Sequence, residues 1–335
     1  MRIRTTVIAA VILLLVTSTG AWAQGSGVVE GQVLNGSADN APVAGLPVTL
    51  WGFTTEEAVD SFETVTDAQG RFRFEDVETE GHVYRLEADY QRVSYESEVV
   101  SFAPEDDVLS QSLIVYEPTT SSELISVERG HLIVVFEPGT IYVQEVQVFS
   151  NAGHMAYVGA SGEEGSATVS FPLPEGASEV QLVEGLRECC VVETGEGFAS
   201  TRPLLPGSTQ LVFSYQLRHE SSTYDFSRDI AYPVGSLDVL ITDVGAEVTA
   251  PGLTASEPLS LQGKNYVHLT AQNLTPADDV VLRFANLPTE AVPDPPASPA
   301  TIPSLLVWSI LGMIALAVFL ALAYPFLESR REEQA

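Results

Sequence analysis

The chain has 335 residues, 15 of them Lys or Arg against 45 Asp or Glu, and a formal net charge of −30. So acidic a molecule repels nucleic acid and anionic lipid headgroups, which argues against a polynucleotide ligand. The length accommodates two ordinary domains.

At the N-terminus, Arg2 and Arg4 make a positive region and Val7 to Val16 an apolar one, and Ala21, Trp22 and Ala23 give a small-x-small cleavage pattern. Residues 1–23 are therefore expected to be a signal peptide, leaving Gln24 as the mature N-terminus. No Cys stands directly after the apolar run, so a lipoprotein anchor is excluded.

Residues 24–118 read as a first β-domain. Strands are expected at Val28–Leu34, Pro47–Gly52, Ser61–Thr66, Arg71–Phe74, Val83–Ala88, Ser94–Phe102 and Ser110–Tyr116, from short alternating runs punctuated by Gly, Pro, Asn and Asp. The clearest signal is Asp67, Ala68, Gln69 and Gly70, a turn after which Phe72 and Phe74 alternate with Arg71 and Arg73. Gly31, Gln32 and Val33, then Gly45 to Val48, then Thr66, Asp67, Gly70, Phe72 and Phe74 resemble the carboxypeptidase regulatory-like domain, a transthyretin- or prealbumin-type β-sandwich similar to the B-type repeats of surface adhesins. The resemblance implies a spacer or interaction module without an active site. Adhesin relatives often carry a Lys–Asn isopeptide bond; the only lysine here is Lys264, so that cross-link cannot form in this domain.

Residues 119–289 read as a second, immunoglobulin-like β-sandwich. Its expected strands are Leu132–Phe136, Glu145–Ser150, Ala167–Phe171, Glu179–Glu184, Gln210–Leu217, Asp229–Tyr232, Leu237–Thr242, Tyr266–Ala271 and Val280–Phe284. Residues 290–303, with prolines at 293, 295, 296, 299 and 303, form an extended linker. A transmembrane helix is expected over 304–327. Its uncharged run Leu305 to Phe326 would extend about 33 Å, enough to cross a bilayer. Arg330 and Arg331 hold the tail, 328–335, in the cytoplasm. The fold class is thus all-β, two sandwiches in series and one C-terminal transmembrane helix, in a single-pass type I protein of the cell membrane. Setting aside Arg2, Arg4, Arg330, Arg331, Glu328, Glu332 and Glu333, the exported part holds 11 basic and 42 acidic residues, a net of −31.

Few residues suggest chemistry. Cys189 and Cys190 are adjacent and are the only cysteines. In an oxidising compartment they are either redox-active or partner-linking thiols, or a rigid turn, or core thiols. The Glu and Val residues around them suggest a loop entering a strand, where neighbours face opposite ways. We therefore expect one cysteine in the core, one outside, and no bond between them. The five histidines are scattered without zinc spacing, and the carboxylates at Glu105 to Asp107 and at Asp278 and Asp279 lack a calcium-loop pattern. No nucleophile elbow or phosphate loop occurs. No metal, cofactor or catalytic residue is assigned, and the protein is read as a non-enzyme.

The leading functional expectation is an envelope protein whose exported sandwiches bind or scaffold other envelope proteins. An alternative is an accessory factor of envelope assembly. His131, the run Arg202 to Gly207, and Phe213, Ser214 and Tyr215 resemble uncharacterised membrane proteins associated with bacterial c-type cytochrome maturation. In that case His131 or His154 would be the candidate haem ligand. A second alternative is a glycan-binding surface protein, with Trp51, Phe53 and Tyr90 as the stacking platform.

Overall fold

The structure, a computed structural model, describes residues 25–54, 58–161, 166–261 and 263–289. The expected signal peptide, linker, transmembrane helix and tail lie outside these residues. Among the described residues no helix is long and apolar enough to cross a membrane. They are almost wholly β, as expected, with two single-turn 3-10 segments, Gly36–Ala38 and Glu188–Cys190.

Contacts divide the chain into two compact units. The first takes the described residues up to Leu34, Pro42–Asp89 and Ser94–Leu113. The second takes Asn35–Ala41, Tyr90–Val93 and the described residues from Ile114 onward.

The first unit's strands are β1 (Ser26–Asn35), β2 (Ala41–Pro42), β3 (Pro47–Phe53), β4 (Ala58–Val65), β5 (Arg71–Glu78), β6 (Val83–Tyr90), β7 (Val93–Glu96), β8 (Val108–Ser110) and β9 (Leu113–Val115). β1 pairs with β2, β5, β8 and β9 in one sheet, and the other runs β4-β3-β6-β7. Period-two burial is plain: Phe72 and Phe74 are buried on β5, Val48 and Leu50 on β3, and Tyr84, Leu86 and Ala88 on β6; on β5 it breaks at Asp76, which takes φ +57, so that Val77 is the next buried residue. The turn before β5 forms as expected. Asp67 Oδ1 accepts from the N–H groups of Gln69 and Arg71, each at 2.8 Å, and Gly70 takes φ +72. The expected strand Ser94–Phe102 stops at Glu96. At Ser97 the hydroxyl accepts from the Leu86 N–H at 2.9 Å, so a side chain occupies the place of a ladder carbonyl.

The second unit's strands are β10 (Pro118–Thr119), β11 (Ile125–Glu137), β12 (Thr140–Asn151), β13 (Ala156–Tyr157), β14 (Val169–Pro172), β15 (Ser178–Glu184), β16 (Val191–Thr194), β17 (Gly197–Ser200), β18 (Gly207–Arg218), β19 (Tyr224–Asp229), β20 (Val234–Thr242), β21 (Glu247–Thr249), β22 (Thr254–Ala255), β23 (Leu259–Leu261), β24 (Lys264–Leu274) and β25 (Asp279–Ala285). The main sheet runs β15-β18-β12-β11-β20-β24-β22, with β23 also on β24. β11 and β20 are parallel, and the other pairs of this sheet are antiparallel.

One face of the main sheet packs on two smaller sheets, β14-β17-β16 and β19-β25-β21, around a core that includes Val134, Phe149, Phe171, Phe198, Phe213, Leu282 and Phe284. Phe171, Phe198 and Phe213 form a close aromatic group with centroids 4.8 to 5.1 Å apart. The other face carries a second apolar cluster, with Ile133, Val146, Leu240 and Tyr266. The middle strands are thus buried on both faces. The expected strand Asp229–Tyr232 is displaced: Asp229 instead ends β19. Pro233 follows Tyr232, and it has no N–H to donate to a ladder.

Candidate functional site

The two cysteines sit where the expected loop enters a strand, immediately before β16, but their arrangement overturns the expectation of separate thiols. Cys189 and Cys190 are joined to each other as a disulfide. The reason is local. Glu188–Cys190 is a 3-10 turn, closed by the Cys190 N–H donating to the Arg187 carbonyl at 3.0 Å, so strand alternation does not apply to the pair. Neither cysteine is in the core: Cys189 is exposed and Cys190 half-buried.

The loop bearing the pair is fixed at both ends. Leu186 is buried in the core, and Gly185, at φ +73, lies against the Gln210 carbonyl at a distance no side chain would permit. Beyond the pair, the Cys190 carbonyl accepts from Thr201 N–H at 2.9 Å and from Thr201 Oγ1 at 3.2 Å. The disulfide therefore crests a loop anchored on either side.

Beside it opens a cleft of about 1040 Å³. One wall is β15, the outermost strand of the main sheet. The other is the β16–β17 hairpin, with β16 outermost in its sheet. Two peptide edges therefore flank the opening. β15 is blunted, since its register on β18 shifts twice and Glu179 takes φ +50. β16 pairs with β17 over all four of its residues without a shift. Glu175, Glu188, Glu193, Glu196 and Asp229 line the cleft, and its described lining contains no Lys or Arg. Val180, in the lining, and Val192, on β16 between the lining residues Val191 and Glu193, are exposed.

Two polar groups in the same unit were not legible in the sequence. On the inner face of the main sheet, Glu145 accepts from Arg228 Nε at 2.8 Å and faces Arg228 Nη2 at 2.7 Å. It also accepts from Tyr215 at 3.1 Å and Gln147 at 2.8 Å. Burial, then the Glu145 charge, pushes the Tyr215 phenol well above its ordinary range.

On the outer face, the register sets His131 opposite Asp238 and brings His268 to the same carboxylate. His268 Nε2 donates to Asp238 Oδ1 at 2.8 Å, whereas His131 Nδ1 stands 3.7 Å from Oδ2. Both ring nitrogens of His131 are buried without a hydrogen-bond partner among the described residues. Its burial lowers its pKa to about 4; Asp238 opposes that shift, while Arg129 and His268 add to it. A cavity of about 20 Å³, room for about one water, lies instead on the inner face beside Glu145, Gln147 and Arg228.

The remaining candidates stay apart. His154 is exposed in a turn. Trp51 Nε1 donates to Glu87 at 2.6 Å, the Arg85 guanidinium lies 5.4 Å over the Phe53 ring, and Tyr90 ends β6. Asp278 Oδ2 accepts from both N–H and Oγ1 of Thr275 at 2.8 Å. Among the described residues no three metal-ligating side chains are gathered.

No family model matches the chain, and no curated protein matches it. Among solved structures, a 9R-lipoxygenase from Cyanothece PCC8801 is similar at 17% identity over 28% of this chain and 16% of its own, with a TM-score of 0.21. A candidate carbohydrate-binding protein from Pseudomonas aeruginosa is similar at 15% identity over 27% of this chain and 88% of its own, with a TM-score of 0.19. Likenesses of this size carry no functional argument, so the function is argued from the cleft and the disulfide alone.

Proposed function

We propose that the chain is a non-enzymatic, single-pass type I protein of the cell envelope. In this reading a prealbumin-like sandwich of the carboxypeptidase regulatory-like kind and an immunoglobulin-like sandwich are exported and held by the C-terminal apolar run. The second sandwich binds or scaffolds other envelope proteins. The observation that carries the reading is the cleft between β15 and β16. An outermost, regularly paired strand offers peptide hydrogen bonds to an added strand, and the neighbouring carboxylates select its charge.

The test is a photo-crosslinking side chain at Val192 in the full-length protein in its own membrane. It should give a discrete adduct, while the same group at exposed Val244 should not. External protease on spheroplasts should destroy the adduct and spare a C-terminal tag. Equal, diffuse crosslinking from both positions, or loss of the tag first, would overturn the reading.

A further inference from the structure

We propose that Cys189–Cys190 is a thiol–disulfide exchange site at the mouth of the cleft, for a partner that presents a thiol on a positively charged segment. The inference rests on the binding role proposed above and adds a covalent step to it.

Three observations carry it. First, the bond joins sequence neighbours, so it closes a small ring and constrains no long loop. The loop-closure stabilisation that disulfides give to folds is nearly absent, leaving its structural worth small. Second, the sulfurs sit on an exposed turn instead of in the core, and exchange requires a thiolate to reach one of them. Third, the adjoining carboxylates, with Glu188 and Glu193 within three positions of the pair, repel an incoming thiolate. A thiol embedded among Lys and Arg brings compensating charge with it; an anionic thiol does not.

The chemistry balances within the two proteins. A partner thiolate attacks Sγ of Cys189, the more exposed residue of the pair. The Cys189–Cys190 bond breaks, a mixed disulfide forms, and Cys190 leaves as a thiolate that takes up a proton. If the partner holds a second thiol, its thiolate attacks the partner sulfur of the mixed disulfide and releases Cys189. The partner's dithiol is then oxidised to a disulfide, and this pair is reduced to two thiols with the partner's two protons. A partner with one thiol stops at the covalent adduct. Either way the event occurs next to β16, where the partner strand would lie.

The test uses the full-length protein in detergent and two short synthetic peptides, each with one cysteine, flanked by lysines in one and glutamates in the other. Reactions are stopped with iodoacetamide and read by intact mass and peptide mapping. The lysine peptide is expected on Cys189, with Cys190 alkylated, at least about tenfold faster than the glutamate peptide at low salt. High salt should shrink that advantage. Glu188→Gln with Glu193→Gln should keep the adduct and reduce the preference. No adduct from either peptide, equal rates at low salt, or a preference unchanged in the glutamine variant would each overturn the proposal. The Val192 crosslink in a Cys189→Ser/Cys190→Ser protein separates the two ideas. If the crosslink persists while exchange fails, only the covalent step falls; if it is lost from the native protein as well, the binding role falls.

Discussion

The two faces of the main sheet treat buried charge in opposite ways. On the inner face, Glu145 meets Arg228 through both carboxylate oxygens, with Tyr215 and Gln147 as further donors. On the outer face, His131 is equally buried, but its nearest carboxylate stands 3.7 Å off and is hydrogen-bonded to His268. A carboxylate cannot be buried ionised without partners, so the inner group must be complete. An imidazole can shed its charge, so His131 is buried neutral. The inner network should therefore fail on mutation, whereas the outer one should tolerate substitution and respond to pH.

The largest effect is expected from Arg228→Met. It strands Glu145 in the core and should cost about 3–5 kcal/mol in urea unfolding followed by circular dichroism. Pairing it with Glu145→Leu should recover most of that loss, because two apolar groups leave no buried charge behind. A double variant as unstable as the single one would break the contrast, by showing that the ion pair itself stabilises the sheet.

Next is the pH response of the outer face. The folded pKa of His131 is about 4, below the ordinary value of about 6.5 for an unfolded chain. Between those values the unfolded state binds the extra proton. The stability tied to neutral His131 is thus fully present above pH 6.5 and is lost as pH falls through about 4. The total is about 3 kcal/mol. Unfolding midpoints between pH 7 and pH 4 should fall more steeply in the native protein than in His131→Leu. Equal slopes would place the acid sensitivity elsewhere.

These two groups also show where sequence reading stops. The first unit's alternation was visible because its strands bury one face: Phe72 and Phe74 against Arg71 and Arg73 is a local pattern. β11 is buried continuously from Gly130 to Phe136, on both faces, so its residues carry no period by which to place His131. Arg228 and Glu145 are 83 positions apart, and His268 and Asp238 are 30 apart. Their meeting is set by strand order and register, which composition does not encode. The cysteines failed for a smaller reason. Strand alternation holds from Val191 onward, while the residues just before it fold as a 3-10 segment. The β16–β17 hairpin, with only four residues in each strand, was too short to register as a pattern.

A smaller effect should sharpen the inner-face description. Tyr215→Phe removes one donor to Glu145 and leaves Arg228 and Gln147 in place. The expected cost is about 1.5–3 kcal/mol, as for a hydrogen bond to a charged group. In the Glu145→Leu/Arg228→Met background the same change should cost less, since its acceptor is gone. Equal costs in both backgrounds would mean that the hydroxyl contributes through packing alone.

The smallest stability change is expected from His268→Ala, and its value lies in what it does to His131. The substitution removes the 2.8 Å hydrogen bond to Asp238, a loss of about 1 kcal/mol because the carboxylate, 19% exposed, keeps access to water. It also removes a group whose positive charge opposes protonation of His131. Asp238 then has His131 as its remaining histidine neighbour, and the Coulombic pull on the His131 proton strengthens. Burial still dominates, so the His131 pKa should rise from about 4 while staying below 6.5. In the native protein this titration can be followed by the ring proton resonances of His131, assigned by their loss in His131→Leu. The His268→Ala protein should show the same resonances titrating at higher pH, with its acid-induced loss of stability confined to a narrower interval. If the His131 midpoint does not move, the two histidines are not coupled through Asp238, and the outer face holds one isolated buried imidazole beside an unrelated surface pair.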